Sequence, residues 1–224
     1  RESVHDVAKN LERMVQAIMI RTFAHKIVID MAKHASIPVI NGLTDYSHPC
    51  QAMADYLTIQ EKKKKLKGLK LCYVGDGNNV AHSLMFAGAR LGVSVTIACP
   101  PGYEPNPSAT QQAVGDAKAT GARIEVVQDP VEGVRNADVV YTDVWASMGQ
   151  ESEAEARKKI FLPYQVNREL MSKAKKDAIF MHCLPAHRGE EVTDEVIDSP
   201  QSVVFDEAEN RLHAQKAIMY QLMK

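Results

Sequence analysis

Five short polar strings, each directly after an apolar run, hold the residues best suited to chemistry: Arg21-Thr22, Asp45 to Gln51, Asp76 to His82, Asp143 to Gly149 and His182 to Arg188. In α/β sheets ligands collect beyond the carboxyl ends of the strands, so these are the positions where recognition groups gather. Arg21 offers a planar fork that can grip phosphate or carbonyl oxygens in pairs; the plainer reading is a surface ion pair at a strand end. His48-Pro-Cys-Gln51 sets an imidazole and an amide on the first turn of a helix, where both can face an anion held at the helix N-terminus, and a capping histidine is the alternative. Asp143-Val-Trp-Ala-Ser147-Met148-Gly149 puts a carboxylate at a strand end and a hydroxyl four residues later. That pairing suits an α-amino acid, whose ammonium needs an acceptor and whose carboxylate needs donors. Cys183, in His182-Cys-Leu-Pro185, is either an inert buried thiol or one placed against a substrate amine.

The run Val74-Gly-Asp-Gly-Asn-Asn-Val80 suggests a nucleotide-binding turn between a strand and a helix. Val80 stands where the third glycine belongs, and the next strand ends Ala98-Cys99-Pro100 with no acidic residue for a ribose, which argues against NAD. Of the adjacent amides Asn78 and Asn79, one is expected to cap the helix and the other to face a ligand.

These strings need a scaffold of strands and helices in alternation. Residues 3 to 16 have helical spacing opened by Ser3 with Asp6 three residues on, followed by an apolar run at 17–20, a helix at 27–35 and a second run at 38–42. Pro49 opens a helix that runs to the Lys62–Lys65 run, best read as a solvated helix end. From Leu69 the alternation resumes: strands at 69–74, 93–98, 124–127, 137–142 and 178–181, and helices at 80–91, 109–120 and 161–174. Such alternation predicts βαβ units and a parallel sheet. The lysine-rich stretch 60–68 divides two series, of which the first has only two strands, too few for a stable sheet of its own. A final amphipathic helix spans 208–224.

The 224 residues, 45% hydrophobic, can fill a core, and a net charge of -1 gives no reason to expect nucleic acid or an anionic membrane as partner. Cys50, Cys72, Cys99 and Cys183 form no C-x-x-C pair, which speaks against a zinc site or disulfide framework and for a reducing compartment. No apolar stretch reaches membrane-spanning length and the charged first residues are unlike a signal peptide, so the expectation is a cytoplasmic protein with no metal and no cofactor.

Taken in order, His48-Pro-Cys-Gln51, Gly75-Asp-Gly-Asn-Asn79, Asp143-Val-Trp-Ala-Ser-Met-Gly149, His182-Cys-Leu-Pro185 and Glu207-Ala-Glu-Asn-Arg211 resemble the ornithine carbamoyltransferase family over essentially the whole chain. The resemblance implies two Rossmann-like parallel-sheet domains: residues 1–60, an incomplete carbamoyl phosphate-binding domain; 61–206, an ornithine-binding domain; and 207–224, a helix returning to the first. It implies that Arg21, His48, Gln51, Arg211 and the backbone of Cys183 and Leu184 bind carbamoyl phosphate, and that Asn79, Asp143, Ser147 and Met148 bind ornithine. The resemblance also implies catalytic roles for Cys183, Asp143, Arg21 and His48 in forming citrulline, and a homotrimer or a multiple of it.

One departure stands out, because the family's Ser-x-Arg-Thr-Arg phosphate loop is absent from the 224 residues. The expectation is an N-terminally truncated enzyme with little activity alone. A non-catalytic ornithine-binding or assembly fragment is the alternative, and an NAD-linked oxidoreductase a third reading. Ser147-Met148-Gly149 after Asp143-Val-Trp145 resembles the ornithine enzymes rather than those acting on aspartate, putrescine or acetylornithine.

Overall fold

The computed structural model describes residues 2–146 and 151–224. Its first body comprises α1 (Val4–Leu11), β1 (Ile18–Arg21), α2 (His25–His34), β2 (Val39–Leu43) and α3 (Pro49–Lys63). The second runs β3 (Lys70–Val74), α4 (Asn79–Leu91), β4 (Ser94–Ala98), α5 (Pro107–Ala117), β5 (Ile124–Val127), α6 (Pro130–Val134) and β6 (Val139–Thr142). It continues through α7 (Ala154–Phe161), α8 (Arg168–Met171), β7 (Ile179–His182) and α9 (Asp194–Ile197) to α10 (Val204–Leu222). This is an α/β protein with two parallel sheets. No helix among the described residues is long and apolar enough to cross a membrane.

Local chemistry sets the helix starts. Ser3 accepts from the Asp6 N–H, Asn78 from Val80 and Ala81, Asn106 from Ser108, Asp129 from Val131 and Asn167 from Leu170. Each occupies a backbone donor that the helix cannot satisfy itself. Pro49, Pro107 and Pro130 sit in first turns, where a missing N–H is harmless. Three spans differ from those expected. The first helix stops at Leu11, where the N–H groups of Arg13 and Met14 turn to Asn10 O and Leu11 O. The expected helix over 161–174 is broken: Pro163 ends α7 in a 3-10 turn, Val166 leaves to bridge Val192, and Asn167 caps the short α8. The last helix begins at Val204, four residues early. The lysine run is also less free than expected, since Lys62 lies 2.9 Å from Asp206 and Lys63 lies 3.1 Å from Asp177.

Five parallel strands in the order β5-β4-β3-β6-β7 form the main sheet. Chain order runs outward from β3 to β5, then restarts beside β3 with β6, so the direction of winding reverses between β3 and β6. A crevice opens at such a reversal, beyond the strand ends. Alternate residues divide between two cores. Tyr73, Ile97 and Tyr141 face Tyr56, Ile59, Leu84 and Met85 of α3 and α4, while Val74, Val140 and Phe180 face the α6, α8 and α9 side. Because both faces are covered, the central strands are mostly apolar, with Thr96 and Thr142 buried among them.

In the first body β1 and β2 pair in parallel, Ile18 against Val39, over a small cluster of Ala8, Ile18 and Met31. Met19 is 65% exposed and Phe23 55%, so this sheet has one covered face and one open one. The loop joining it to α3 is fastened to α4: Asn79 Nδ2 donates to Thr44 O at 2.6 Å, His82 Nδ1 meets Tyr46 O at 2.8 Å, and the His48 N–H donates to Ser83 Oγ at 2.7 Å.

Gly77 lies at the mouth of the crevice, with its N–H bonded to Tyr103 O at 2.9 Å; an added Cβ would sit 2.5 Å from the Glu104 carbonyl carbon and nearer still to Pro105 N. The obstructing atoms are backbone and cannot rotate away. Gly77→Ala is expected to lower stability by about 1–3 kcal/mol in urea unfolding. A loss within experimental error would show that the 103–105 loop yields freely.

Candidate active site

The crevice between β3 and β6 continues to the ends of β1 and β2 as one open cleft of about 880 Å³. Three groups of residues converge on it. The first body supplies Arg21, His48 and Gln51, the β3–α4 turn supplies Asp76 to Asn79, and the second half of the chain supplies Asp143, Arg157, Cys183, Leu184 and Arg211. Ser147 and Met148 lie outside the described residues.

One end of the cleft is built for an anion. Arg21 is exposed at the end of β1, and Arg211 projects from α10 so that its Nη1 donates to Gln51 Oε1. Between them His48 is 7% exposed, and its Nδ1 has no hydrogen-bond partner. Burial, reinforced by the charges of Arg211 and Arg21, lowers the His48 pKa to about 4, so the ring is neutral near pH 7. A neutral imidazole beside two guanidinium groups can polarise a carbonyl by hydrogen bonding without adding a third positive charge. Gln51 is more enclosed than its position one turn into a helix suggested, at 1% exposure. Its amide nitrogen donates to Asp55 Oδ1 at 2.8 Å, so both ends of the amide are committed.

The other end is built around Asp143. Its Oδ1 accepts from Cys183 Sγ at 3.2 Å and from the Val144 N–H at 2.8 Å, and its Oδ2 accepts from Asn78 Nδ2 at 3.1 Å. Burial, then the charge of Asp143, pushes the Cys183 pKa well above its ordinary value. Cys183 is therefore a thiol that donates a hydrogen bond, and it has little thiolate character for nucleophilic attack.

Both asparagines differ from the expected division of labour. Asn78 caps α4 through Oδ1 and also holds Asp143 through Nδ2, while the Asn79 amide nitrogen, rather than being free for a ligand, is tied to Thr44 O. Capping needs only the oxygen, so one side chain does two jobs. The Leu184 N–H is likewise occupied, donating to His182 Nδ1 at 2.9 Å. His182 Nε2 meets Glu191 Oε1 at 3.2 Å, so although Asp143, His182 and Cys183 lie close enough to share an ion, neither ring nitrogen of His182 is free to ligate one.

Sequence reading missed two parts of this site. Arg157 from α7 donates to Asp76 Oδ2 at 2.8 Å and to Trp145 O at 3.0 Å, and its guanidinium lies 5.0 Å from the centre of the Tyr103 ring. It fastens the segment after Asp143 to the β3–α4 turn. No local pattern announces a contact across 81 residues. Asp55 did leave a trace, because it lies four residues after Gln51 on one helical face.

The depressed His48 pKa makes a pH prediction. Its folded-state value lies below the unfolded value, so its contribution is complete above pH 6.5 and is lost as pH falls through about 4. Relative to His48→Gln, the wild-type chain is expected to lose about 3 kcal/mol of unfolding free energy across that window. Parallel pH dependences for the two chains would contradict a neutral buried ring.

The carbamoyl-P binding domain of the aspartate/ornithine carbamoyltransferase family matches residues 1–61, and that family's Asp/Orn binding domain matches residues 67–222. A protein from Thermococcus kodakarensis named ornithine carbamoyltransferase is 64% identical over 222 residues, covering 99% of this chain and 70% of the relative. The solved ornithine carbamoyltransferase from Pyrococcus furiosus superposes with a TM-score of 0.96 at 62% identity, over 99% of this chain and 71% of that one. The ornithine transcarbamoylase from Giardia lamblia does so with a TM-score of 0.91 at 38% identity, over 99% and 75%.

Proposed function

We propose that this chain, which belongs to the aspartate/ornithine carbamoyltransferase family, transfers the carbamoyl group of carbamoyl phosphate to the δ-amine of ornithine, giving citrulline and phosphate. The observation that carries the reading is a single cleft with Arg21, His48 and Arg211 at one end and the Asp143–Cys183 pair at the other. Residues 1–60 and the α10 helix serve the phosphate end, and residues 61–206 serve the amino acid. Arg21, Arg211 and His48 bind carbamoyl phosphate, with Gln51 aligning Arg211 and the Cys183–Leu184 backbone closing the site. Asp143, the Asn79 side-chain oxygen, Ser147 and Met148 receive ornithine.

The chemistry follows from those roles. Ornithine must present its δ-nitrogen as a free amine, and the ammonium form sheds its proton to solvent before attack. The nitrogen lone pair adds to the carbamoyl carbon, and the carbonyl electrons move onto oxygen, where Arg21 and His48 stabilise the developing charge. Collapse breaks the bond to the phosphate oxygen, phosphate departs with that electron pair, and the nitrogen loses its extra proton. Asp143 and Cys183 act by orientation, holding the amino acid so that the amine meets the carbon in line. The trimer follows from the family resemblance, and a cytoplasmic location from the widely spaced cysteines of the sequence.

Asp143→Asn is expected to weaken ornithine binding by about 1.5–3 kcal/mol and to change carbamoyl phosphate binding little, since only the amino acid brings an ammonium to that carboxylate. Calorimetry giving equal losses for both ligands would remove Asp143 from the ornithine site.

A citrulline assay on the 224-residue chain tests the reaction itself. The expected product is citrulline, formed far below the usual enzyme range of about 1–1,000 per second, because these residues include no Ser-x-Arg-Thr-Arg loop and Arg21 stands on a two-stranded sheet. Supplying a family N-terminal segment in trans should raise the rate. Ornithine binding that is indifferent to carbamoyl phosphate, with no citrulline under any condition, would favour a binding fragment instead.

A further inference from the structure

Behind the phosphate end of the cleft lie two acidic side chains that the reaction does not use. Asp55 on α3 and Glu207 on α10 are each 0% exposed. Gln51 Nε2 sits between them, 2.8 Å from Asp55 Oδ1 and 3.4 Å from Glu207 Oε1. Glu207 also accepts from Tyr141 OH at 3.0 Å and from the His182 N–H at 3.0 Å. Three of the four carboxyl oxygens thus have donors, while Asp55 Oδ2 is buried with no hydrogen-bond partner.

From this arrangement, and resting on the transferase reading above, we infer that Asp55 and Glu207 share one proton and act as positioning residues, fixing the Gln51 amide and through it the Arg211 guanidinium toward the phosphate. Two ionised carboxyl groups flanking one amide nitrogen without exposure would be prohibitively costly, whereas one shared proton removes a charge. Every neighbouring element is consistent with that count. The pair meets Gln51 from α3, Tyr141 from β6, the His182 N–H and Cys183 thiol from the end of β7, Asp143 beyond them, and Arg211 from α10. Arg211 is the one cation in this set, and its Nη1 faces Gln51 Oε1 rather than either carboxyl. Burial raises Asp55 to about 7, and burial together with the Asp55 charge raises Glu207 well above the carboxylate range. The protonated pair lets Gln51 point its NH₂ at an acceptor and its carbonyl at Arg211; a doubly charged pair would compete with the phosphate for that cation.

The test uses the 224-residue chain without substrate. Near pH 6, where ordinary carboxyl groups are ionised, wild-type protein should show the infrared C=O band of an un-ionised carboxyl, lost in Glu207→Gln. Should that variant fail to fold, Asp55→Asn serves the same assignment. Because the folded pKa values are raised, stability is lost as pH rises from the ordinary carboxyl range through about 7, so between pH 5 and 8 the wild-type melting midpoint should fall by roughly 5 °C relative to Glu207→Gln. The side-chain N–H resonances of Gln51 and Arg211 should shift with the midpoint of the infrared band, be retained in Glu207→Gln and become solvent-averaged in Glu207→Ala. A wild-type chain with no such band, a band that survives both amide substitutions, or resonances blind to the pair's titration would overturn the inference. Failure to form citrulline with these signatures intact would instead count against the transferase reading.

Discussion

The seam between α3 and α10 is the constraint on which the rest of the site depends. The anion end of the cleft comes from a two-stranded sheet and the amino-acid end from a five-stranded one, so no single sheet can hold both in register. What joins them is polar and buried: Gln51 bonded to Asp55 and to Arg211, Glu207 bonded to Tyr141 and to the His182 N–H, and Asn210 Nδ2 bonded to Thr58 Oγ1 at 3.0 Å. Apolar packing alone would let two helices slide by a fraction of a turn. Hydrogen bonds that are expensive to leave unmade fix one alignment.

The same burial sorts the charges of the cleft. His48 and Cys183 are both kept neutral by desolvation, one by lowering its pKa and the other by raising it. The cleft then carries the Arg21 and Arg211 guanidinium groups at one end and Asp143, near the Arg157–Asp76 pair, at the other, a polarity that suits an anionic donor meeting an amino acid. Arg157 extends the logic to the residues just after Asp143, since its contacts with Asp76 and Trp145 O tie Trp145 to the β3–α4 turn.

Periodicity and punctuation made most elements legible. Ser3 and Pro49 mark helix starts because such first-turn chemistry works in any tertiary setting, whereas the short helix opened by Asp129-Pro130 was not expected. The stretch 161–174 misled for the complementary reason: its apolar residues have helical spacing, yet Val166 is drawn away by a pairing with Val192 that is remote in sequence. The helix over 3–16 fell short at Leu11 in the same way, with Glu12 Oε2 accepting the Ser36 N–H at 2.7 Å across to the end of α2.

The sequence by itself determined the fold class, the strand ends that carry the chemistry and the family, because these are written in residue types at short, ordered spacings. Tertiary structure alone decided which atoms remain free. Asn79 and the Leu184 N–H are engaged by Thr44 O and His182 Nδ1, Asn78 serves two partners, and Arg157 and Asp55 join the site. Sequence motifs name donors and acceptors, but whether a given lone pair is already taken depends on groups 35, 81 or 156 residues away, brought within reach only when the sheets and the α3–α10 seam have formed.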